Sequence, residues 1–454
     1  MQWLGEVPTN WYIRRMKTLL RERVEKGFPD EPLLAATQNR GVVRKEQYEN
    51  RTVEAQKDLH LLKHVHEGDF VISLRSFQGG IEFARNQGII SPAYTILYPD
   101  DPTIHGYLAW LFKSKSYIEN LSLYVTGIRQ GQNIDYDKLS RSLLPLPCSD
   151  ERDSIVRFLD HMDRRIRRYI RAKQKLIGLL EEQKQVIIHH AVTRGLDPNV
   201  PFKPSGVEWL GEVPEHWIVA ALRHRYSQCL GKMLDSKKIT GNYPLAYLRN
   251  TDVQWDRINI KDLPLMDISP EEYERYTVRK GDLLVCEGGD VGRCALWSDE
   301  MPLCGFQKAL HRLRPRSADQ DVPRFMYYLL RAAAKCDAFN DGHLSTIAHL
   351  TGDKLRAHRF SFPPKVEQEN LVNFLDFTLE NIDKAISSTL CEIGLLNEYR
   401  ARLISDVVTG KLDVRDVDLP ASEEVEAPED YPDLLESEEI MEEDLQGQIP
   451  EEGD

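Results

Sequence analysis

The chain has 454 residues, 41% apolar and 29% charged, a balance that excludes whole-chain disorder and a fibrous protein. No run approaches the ~18 uninterrupted apolar residues of a membrane helix. Seven scattered cysteines without a C-x-x-C pair exclude the usual zinc layouts and a disulfide framework and fit a reducing cytoplasm. The N-terminus lacks an apolar signal core, so secretion is not expected. At ~150 residues per domain the length suggests about three units. The net charge of −13 lies in the tail. Residues 421–454 hold 15 Asp/Glu and no Lys or Arg, leaving 59 basic and 57 acidic groups elsewhere (72 less the tail's 15). Charge therefore neither demands nor excludes nucleic-acid binding.

In chain order, the first feature is WLGEVPTNW at 3–11, which returns as WLGEVPEHW at 209–217 with seven of nine positions identical. Strand-like runs are expected at Asp69–Leu74 and Tyr94–Leu97, and an amphipathic helical stretch near 105–120. After Pro147 an uninterrupted run extends to Gly195, punctuated as a helix of ~40 residues. Its apolar residues follow a heptad: Ile155, Leu159, Met162, Ile166, Tyr169, Leu176, Leu180 and Ile187, interrupted by Lys173 and Gln183. PFKPSG at 201–206 is expected to be an unpatterned link. The second half repeats the scheme, with strand-like Asp282–Val285 and Leu310–Leu313 and a helical stretch near 322–336.

A second long run begins after Pro363 and Pro364 and ends at Gly410. Residues 371–413 match 155–197 at a constant offset of 216, with 16 identities in 43 positions. Its apolar positions are Leu371, Leu375, Ile382, Ala385, Leu396, Tyr399 and Leu403, with Thr378, Thr389 and Glu392 as interruptions. A ~40-residue helix is ~60 Å long and cannot bury its own stripe, so its expected partner is its duplicate, in a two-stranded coiled coil. Gly178 and Gly394 occupy equivalent mid-helix places and suggest close helix approach. The gene reads as two copies of one unit whose ends stayed alike while their middles diverged.

Catalytic signatures are missing. There is no G-x-x-x-x-G-K-[ST] loop, no H-E-x-x-H and no G-x-S-x-G, and Gly288-Gly289-Asp290-Val291-Gly292 lacks the dinucleotide spacing. Nor is there an Asn/Asp-Pro-Pro-aromatic motif. The pairs His64/His66 and His189/His190 have no matching ligands nearby in sequence and read as surface or packing residues.

The duplicated WLGEVPxxW, the repeated helices, the divergent middles, YLRNTDVQWDRI at 247–258, GDFVISLRSFQGGI at 68–81 and GDLLVCEGGDVGRCALW at 281–297 together resemble the specificity subunit of type I restriction–modification systems. The resemblance spans roughly 1–415; the acidic extension beyond 418 is outside the pattern, and the first middle lacks a clear YLRN counterpart. It implies a mixed α+β chain in which two long antiparallel coiled-coil helices separate two similar globular target-recognition domains, with internal pseudo-twofold symmetry. The expected divisions are 1–148 and 209–363 for the target-recognition domains, 149–195 and 364–412 for the helices, 196–208 for a linker and 418–454 for a disordered tail. The resemblance also implies a non-catalytic reader of a bipartite double-stranded DNA target. Two copies of a DNA adenine methyltransferase subunit would dock on it, bringing S-adenosylmethionine, and an ATP-dependent translocase-nuclease subunit would join for restriction. No cofactor, metal or membrane is implied for this chain.

Base readout calls for Arg or Lys toward guanine, Asn or Gln toward adenine, and Ser or Thr toward either. Candidates flanking turns are Ser73, Arg75, Gln78, Arg129 and Gln130 in the first middle, and Arg249, Asn250, Arg293, Gln307 and Lys308 in the second. Arg249-Asn250 is preferred because it follows a Tyr-containing strand at a turn. Trp3, Trp11, Trp209 and Trp217 read as a packed seam rather than base-stacking rings. The run Arg164, Arg165, Arg167, Arg168 and Arg171 reads equally as a phosphate-contacting face or a solvated one.

Overall fold

The computed structural model describes residues 3–38, 40–47, 58–72, 79–126, 133–234, 241–339 and 349–419. The chain divides into two compact units rather than three. The first comprises Met1–Lys175 and Thr389–Asp454, and the second Leu176–Ser388. Among the described residues no helix is long and apolar enough to cross a membrane. None of the seven cysteines forms a disulfide.

In the first unit β1 (Tyr12–Arg15) leads to β2 (Leu20–Arg23). Then come β3 (Lys63–Val65), β4 (Phe70–Ile72), β5 (Glu82–Phe83), β6 (Gly88–Ile90) and β7 (Thr95–Pro99). Helices α1 (His105–Phe112) and α2 (Lys115–Leu121) precede β8 (Leu143–Leu146) and the long α3 (Ser149–Arg194). Four strands form an antiparallel sheet in the order β2-β7-β4-β5, with Leu20 opposite Pro99 and Phe70 opposite both Leu97 and Phe83. Separately, β1 pairs with β8, Tyr12 opposite Leu146. Phe70, fully buried, meets Phe112 of α1 edge to face at 5.2 Å, which seats the helix on the sheet.

The second unit opens with β9 (Phe202–Pro204) paired to β10 (Glu212–Pro214), so the expected unpatterned link at 201–206 is a strand folded back on WLGEVP. Next are β11 (Ile218–Ala221), β12 (Tyr226–Leu230), β13 (Pro244–Leu248), β14 (Leu283–Cys286) and β15 (Cys294–Leu296). They are followed by β16 (Gly305–Phe306), β17 (Leu310–Pro315), α4 (Pro323–Lys335), β18 (Arg359–Phe362) and α5 (Lys365–Val408). The principal sheet runs β12-β17-β14-β15, all antiparallel, and β11 pairs with β18. This sheet and this strand pair repeat those of the first unit, in segments whose sequences diverged, whereas β13 lies in a separate sheet, parallel to β16. The apolar face of α4 (Phe325, Met326, Leu329, Leu330, Ala333) joins Leu283, Val285 and Leu313 of the sheet and Leu371 and Leu375 of α5 in one core.

The resemblance of GDFVIS to GDLLVC has a structural cause. Asp69 and Asp282 are buried, and each closes a turn by accepting the backbone N–H three residues earlier, from His66 and Arg279 at 2.9 Å. Each also receives a guanidinium, the half-buried Arg23 on Asp69 and the buried Arg314 on Asp282. The preceding glycines have positive φ, 91° at Gly68 and 84° at Gly281, which the tight turn requires.

Within each unit the long helices pack antiparallel. In the first, Asp163 of α3 pairs with Arg400 of α5, and Lys173 Nζ meets Glu392 Oε2 at 2.6 Å. In the second, the buried Lys184 pairs with Asp383. The buried stripe departs from the expected heptad. Ile155, Ile166 and Ile188, with the half-buried Ile177 between them, recur every 11 residues on α3, as do Leu371, Ile382, Ile393 and Ile404 on α5. Tyr169, Leu176, Ala385 and Tyr399, expected in the seam, are exposed; Ile170 and Ile386 are buried. Eleven residues per three turns is ~3.67 per turn, close to the 3.6 of a straight helix, so the stripe drifts little.

Gly178 and Gly394 are exposed, and a Cβ at either would meet nothing within 4 Å. Close helix approach does not explain them. Replacing either with alanine is expected to raise stability by ~1 kcal/mol through helix propensity alone, read as a shift of the urea midpoint at unchanged slope.

Trp11 and Trp217 line equivalent seams. A Cβ at Gly195, just past α3, would lie 3.2 Å from the Trp217 ring, and one at Gly410, just past α5, 3.1 Å from Trp11. Trp217 Nε1 donates to Glu367 at 3.0 Å. Trp3 meets Tyr117 edge to face, and Trp209 stacks on His358. All four tryptophans pack against the fold.

Candidate nucleic-acid interface

The five candidates of the second unit are borne by loops at one end of its sheets. β13 delivers Arg249 and Asn250 to a short turn, Asn250–Asp252. Asp252 is buried and accepts the Arg249 backbone N–H at 2.7 Å. The same carboxylate holds the guanidinium by two further bonds at 2.9 Å, from Nε and Nη2. This pairing, direct hydrogen bonding first, holds Arg249 above its ordinary pKa. The side chain remains 41% exposed, so a preoriented fork faces solvent whose Nη1 makes no hydrogen bond among the described residues, the geometry that bidentate guanine recognition uses.

Asn250 reaches the glycine-rich loop between β14 and β15, where Nδ2 donates to Gly288 O at 3.1 Å. Its Oδ1 is buried without a hydrogen-bond partner. A Cβ at Gly288 would lie 3.1 Å from His349 Nδ1, so glycine lets that ring lie against the same loop. Arg293 Nη2 donates to Asn250 O at 3.1 Å, tying the same two loops. Arg293 therefore works as a brace. Trp255 Nε1, donating to Asp290 Oδ2 at 2.6 Å, adds a second tie.

Gln307 and Lys308 follow β16. The Gln307 backbone N–H donates to Leu248 O at 3.0 Å, at the end of β13, which puts this loop beside Arg249. The Gln307 carbonyl would lie 2.2 Å from a Cβ at Gly231, so only glycine fits there. Lys308 is exposed. Arg249, Asn250, Arg293, Gln307 and Lys308 are thus brought together by three loops. Asp252, Asp290, Trp255 and Gly231, which position them, were missed. An Asp three residues after Arg249 is the spacing of a turn-capping carboxylate and was the available signal for the first.

In the first unit Ser73, Arg75, Gln78, Arg129 and Gln130 lie outside the described residues, as does most of the acidic tail. The segment after 78 is anchored by Lys113. Its Nζ donates to Gly79 O at 2.7 Å, to Gln38 O at 2.8 Å and to Glu82 Oε1 at 2.6 Å. Burial outweighs that lysine and raises the Glu82 pKa to about 7. Arg164, Arg165, Arg167, Arg168 and Arg171 are all exposed, Arg167 paired with Asp163 at 2.8 Å. His189 is a packing residue, with Nε2 3.1 Å from Trp209 O. His64 and His66, by contrast, have a carboxylate beside them that sequence proximity did not show.

Fold and loop end together define a protein built of two like α+β units on paired long helices. Residues 230–390 match the family described as the type I restriction modification DNA specificity domain. The fold is that of type I specificity subunits. The chain is similar to the HsdS subunit from Thermoanaerobacter tengcongensis, at 16% identity over 90% of this chain and 98% of that one, with a TM-score of 0.51. It is also similar, at 17% identity and a TM-score of 0.67 over 90% of this chain and 100% of the other, to a chain from a study of complex assembly and conformational transition of the type I R-M system. No curated protein matches the sequence.

Proposed function

We propose that the chain is the non-catalytic specificity subunit of a type I restriction–modification complex. Each unit reads one half of a bipartite double-stranded DNA target. The helices, 46 and 44 residues long and so ~69 and ~66 Å, are longer than the ~34 Å between half-sites one turn apart. Two copies of a DNA adenine methyltransferase subunit dock on the chain and bring S-adenosylmethionine, and an ATP-dependent translocase-nuclease subunit joins for restriction.

The observation that carries this reading is the same sheet order and the same G-D turn in two units whose loops differ. A shared frame holding unlike loops is what reading two different half-sites requires. In the second unit Arg249, Gln307 and Lys308 contact base edges or phosphates, while Asn250 and Arg293 hold the loops and Asn250 Oδ1 remains an acceptor. Ser73, Arg75, Gln78, Arg129 and Gln130 do the equivalent work in the first.

The test is a domain exchange. Residues 218–362 are replaced by the corresponding segment of another specificity subunit, the chain is co-expressed with its methyltransferase, and modified adenines are mapped genome-wide. One half of the methylated motif is expected to change and the other to persist. A change in both halves, or modification without sequence preference, overturns the reading.

A further inference from the structure

One cluster away from the recognition loops has the chemistry of a metal centre. Glu25 lies just past β2, His64 is the middle residue of β3, and His66 follows that strand. The backbone brings the segments together: His64 N–H donates to Glu25 O at 2.8 Å, and Lys26 bridges to Lys63. Glu25 Oε2 then stands 3.0 Å from His66 Nε2 and 3.6 Å from His64 Nδ1. One ligand atom from each of the three residues lies within 4.8 Å of the others.

A second observation is independent of that proximity. His64 is 3% exposed, and both its ring nitrogens are buried with no hydrogen-bond partner. Buried polar atoms are nearly always paired. Phe28 stacks on the ring at 4.1 Å and 18°, fixing its plane without satisfying either nitrogen. The ring is ordered and aimed, and Nδ1 faces the shared carboxylate.

We propose that Glu25, His64 and His66 form a three-ligand site for a divalent transition-metal ion of the zinc class, bound through Glu25 Oε2, His64 Nδ1 and His66 Nε2, with the fourth position left to water. Two imidazoles and a carboxylate are a donor set suited to zinc. Ligand atoms ~2.0–2.1 Å from a tetrahedral ion are about 3.3 Å from each other, and the distances of 3.0 and 3.6 Å bracket that value. An outer shell is present too. Arg23 Nη1 donates to Glu25 Oε1 at 2.8 Å while its Nε is held by Asp69 at 2.9 Å, orienting the carboxylate. His66 N–H donates to Asp69 Oδ2, so the ion would brace the turn that launches β4.

Among the described residues of the second unit there is no such set. The residue three before Asp282 is Arg279, 3.8 Å from Glu274, a plain ion pair. The competing account is that Glu25 and His66 form only such a pair.

Full-length chain freed of metal by a chelator would be titrated with zinc against a chromophoric competitor, and separately with cobalt(II), alongside Glu25→Gln and His66→Gln. The acidic tail contributes the same background to all three proteins. The wild type is expected to bind one zinc that both variants weaken by more than the ~10–100-fold typical of outer-shell changes. It alone should show the intense visible bands of tetrahedral cobalt and a zinc-dependent rise in Tm. His66 is only half-buried and lies outside the core, so its variant tests binding with the core intact, and the metal-free Tm of each variant reports its folding. Equal zinc uptake by all three proteins, or no site above the tail's background, leaves only the ion pair and overturns the proposal.

Discussion

Asp282→Ala is expected to destabilise the second unit by about 3–5 kcal/mol, the usual cost of stranding a buried charge. Asp282 is 1% exposed and holds Arg314 through Nε and Nη2, the latter at 2.9 Å, with Arg312 4.0 Å away. Both arginines are buried on β17, and Arg312 Nε has no hydrogen-bond partner. Burial and the neighbouring Arg314 already lower the Arg312 pKa. Without the carboxylate, two guanidiniums would face backbone carbonyls and the exposed Glu274 alone. Arg21→Ala, which breaks the exposed pair with Asp100, is the contrasting case, with an expected cost below about 1 kcal/mol. Urea denaturation of both variants checks the pair. Equal small losses would show that the Asp282 cluster is not what ties β14 to β17.

Acid is expected to weaken the second unit through His358. Burial alone pushes this imidazole down to about 4 from an ordinary 6.5. Trp209, Phe339 and Phe360 surround it, with centroids at 6.1, 4.9 and 4.8 Å, and its Nε2 is buried without a partner. Because the folded pKa lies below the unfolded one, the unfolded chain binds more protons between the two values. The contribution is therefore fully present above about pH 6.5 and declines as pH falls toward about 4, a loss of at most about 3 kcal/mol. His358→Phe keeps the ring contacts and removes the titration. Its stability should fall less than wild type between about pH 7 and about pH 4.5, measured by urea midpoints. Parallel profiles would place the acid sensitivity elsewhere.

Several features were legible in the residues because they are local or repeated. The 216-residue offset announced two equivalent helices, and proline before and glycine after marked their limits near the observed Ser149–Arg194 and Lys365–Val408. The expected run 310–313 falls within β17, and 322–336 encloses α4. The helix seam was misread for a definable reason. Heptad and 11-residue repeats share Ile155, Leu159, Met162 and Ile166, and they separate only after four turns, at Tyr169 against Ile170.

At the loop end of the second unit, residue type and turn context were enough to nominate Arg249, Asn250, Gln307 and Lys308. That Arg293 braces the Asn250 turn while Arg249 presents its fork to solvent depends on Asp252 and on which carbonyls converge there.

By itself, then, the sequence determined the duplication, the long helices, the divergence of the middles and the missing catalytic motifs, since these rest on composition, punctuation and periodicity along the chain. Only the tertiary structure decided that the divergent middles share one sheet order, because strand pairing joins residues as distant as Leu20 and Pro99 or Leu283 and Leu313. It also decided that Glu25 stands against His64 and His66. Thirty-eight residues or more separate them in the chain, and only β-pairing and burial bring their ligand atoms within a few ångströms.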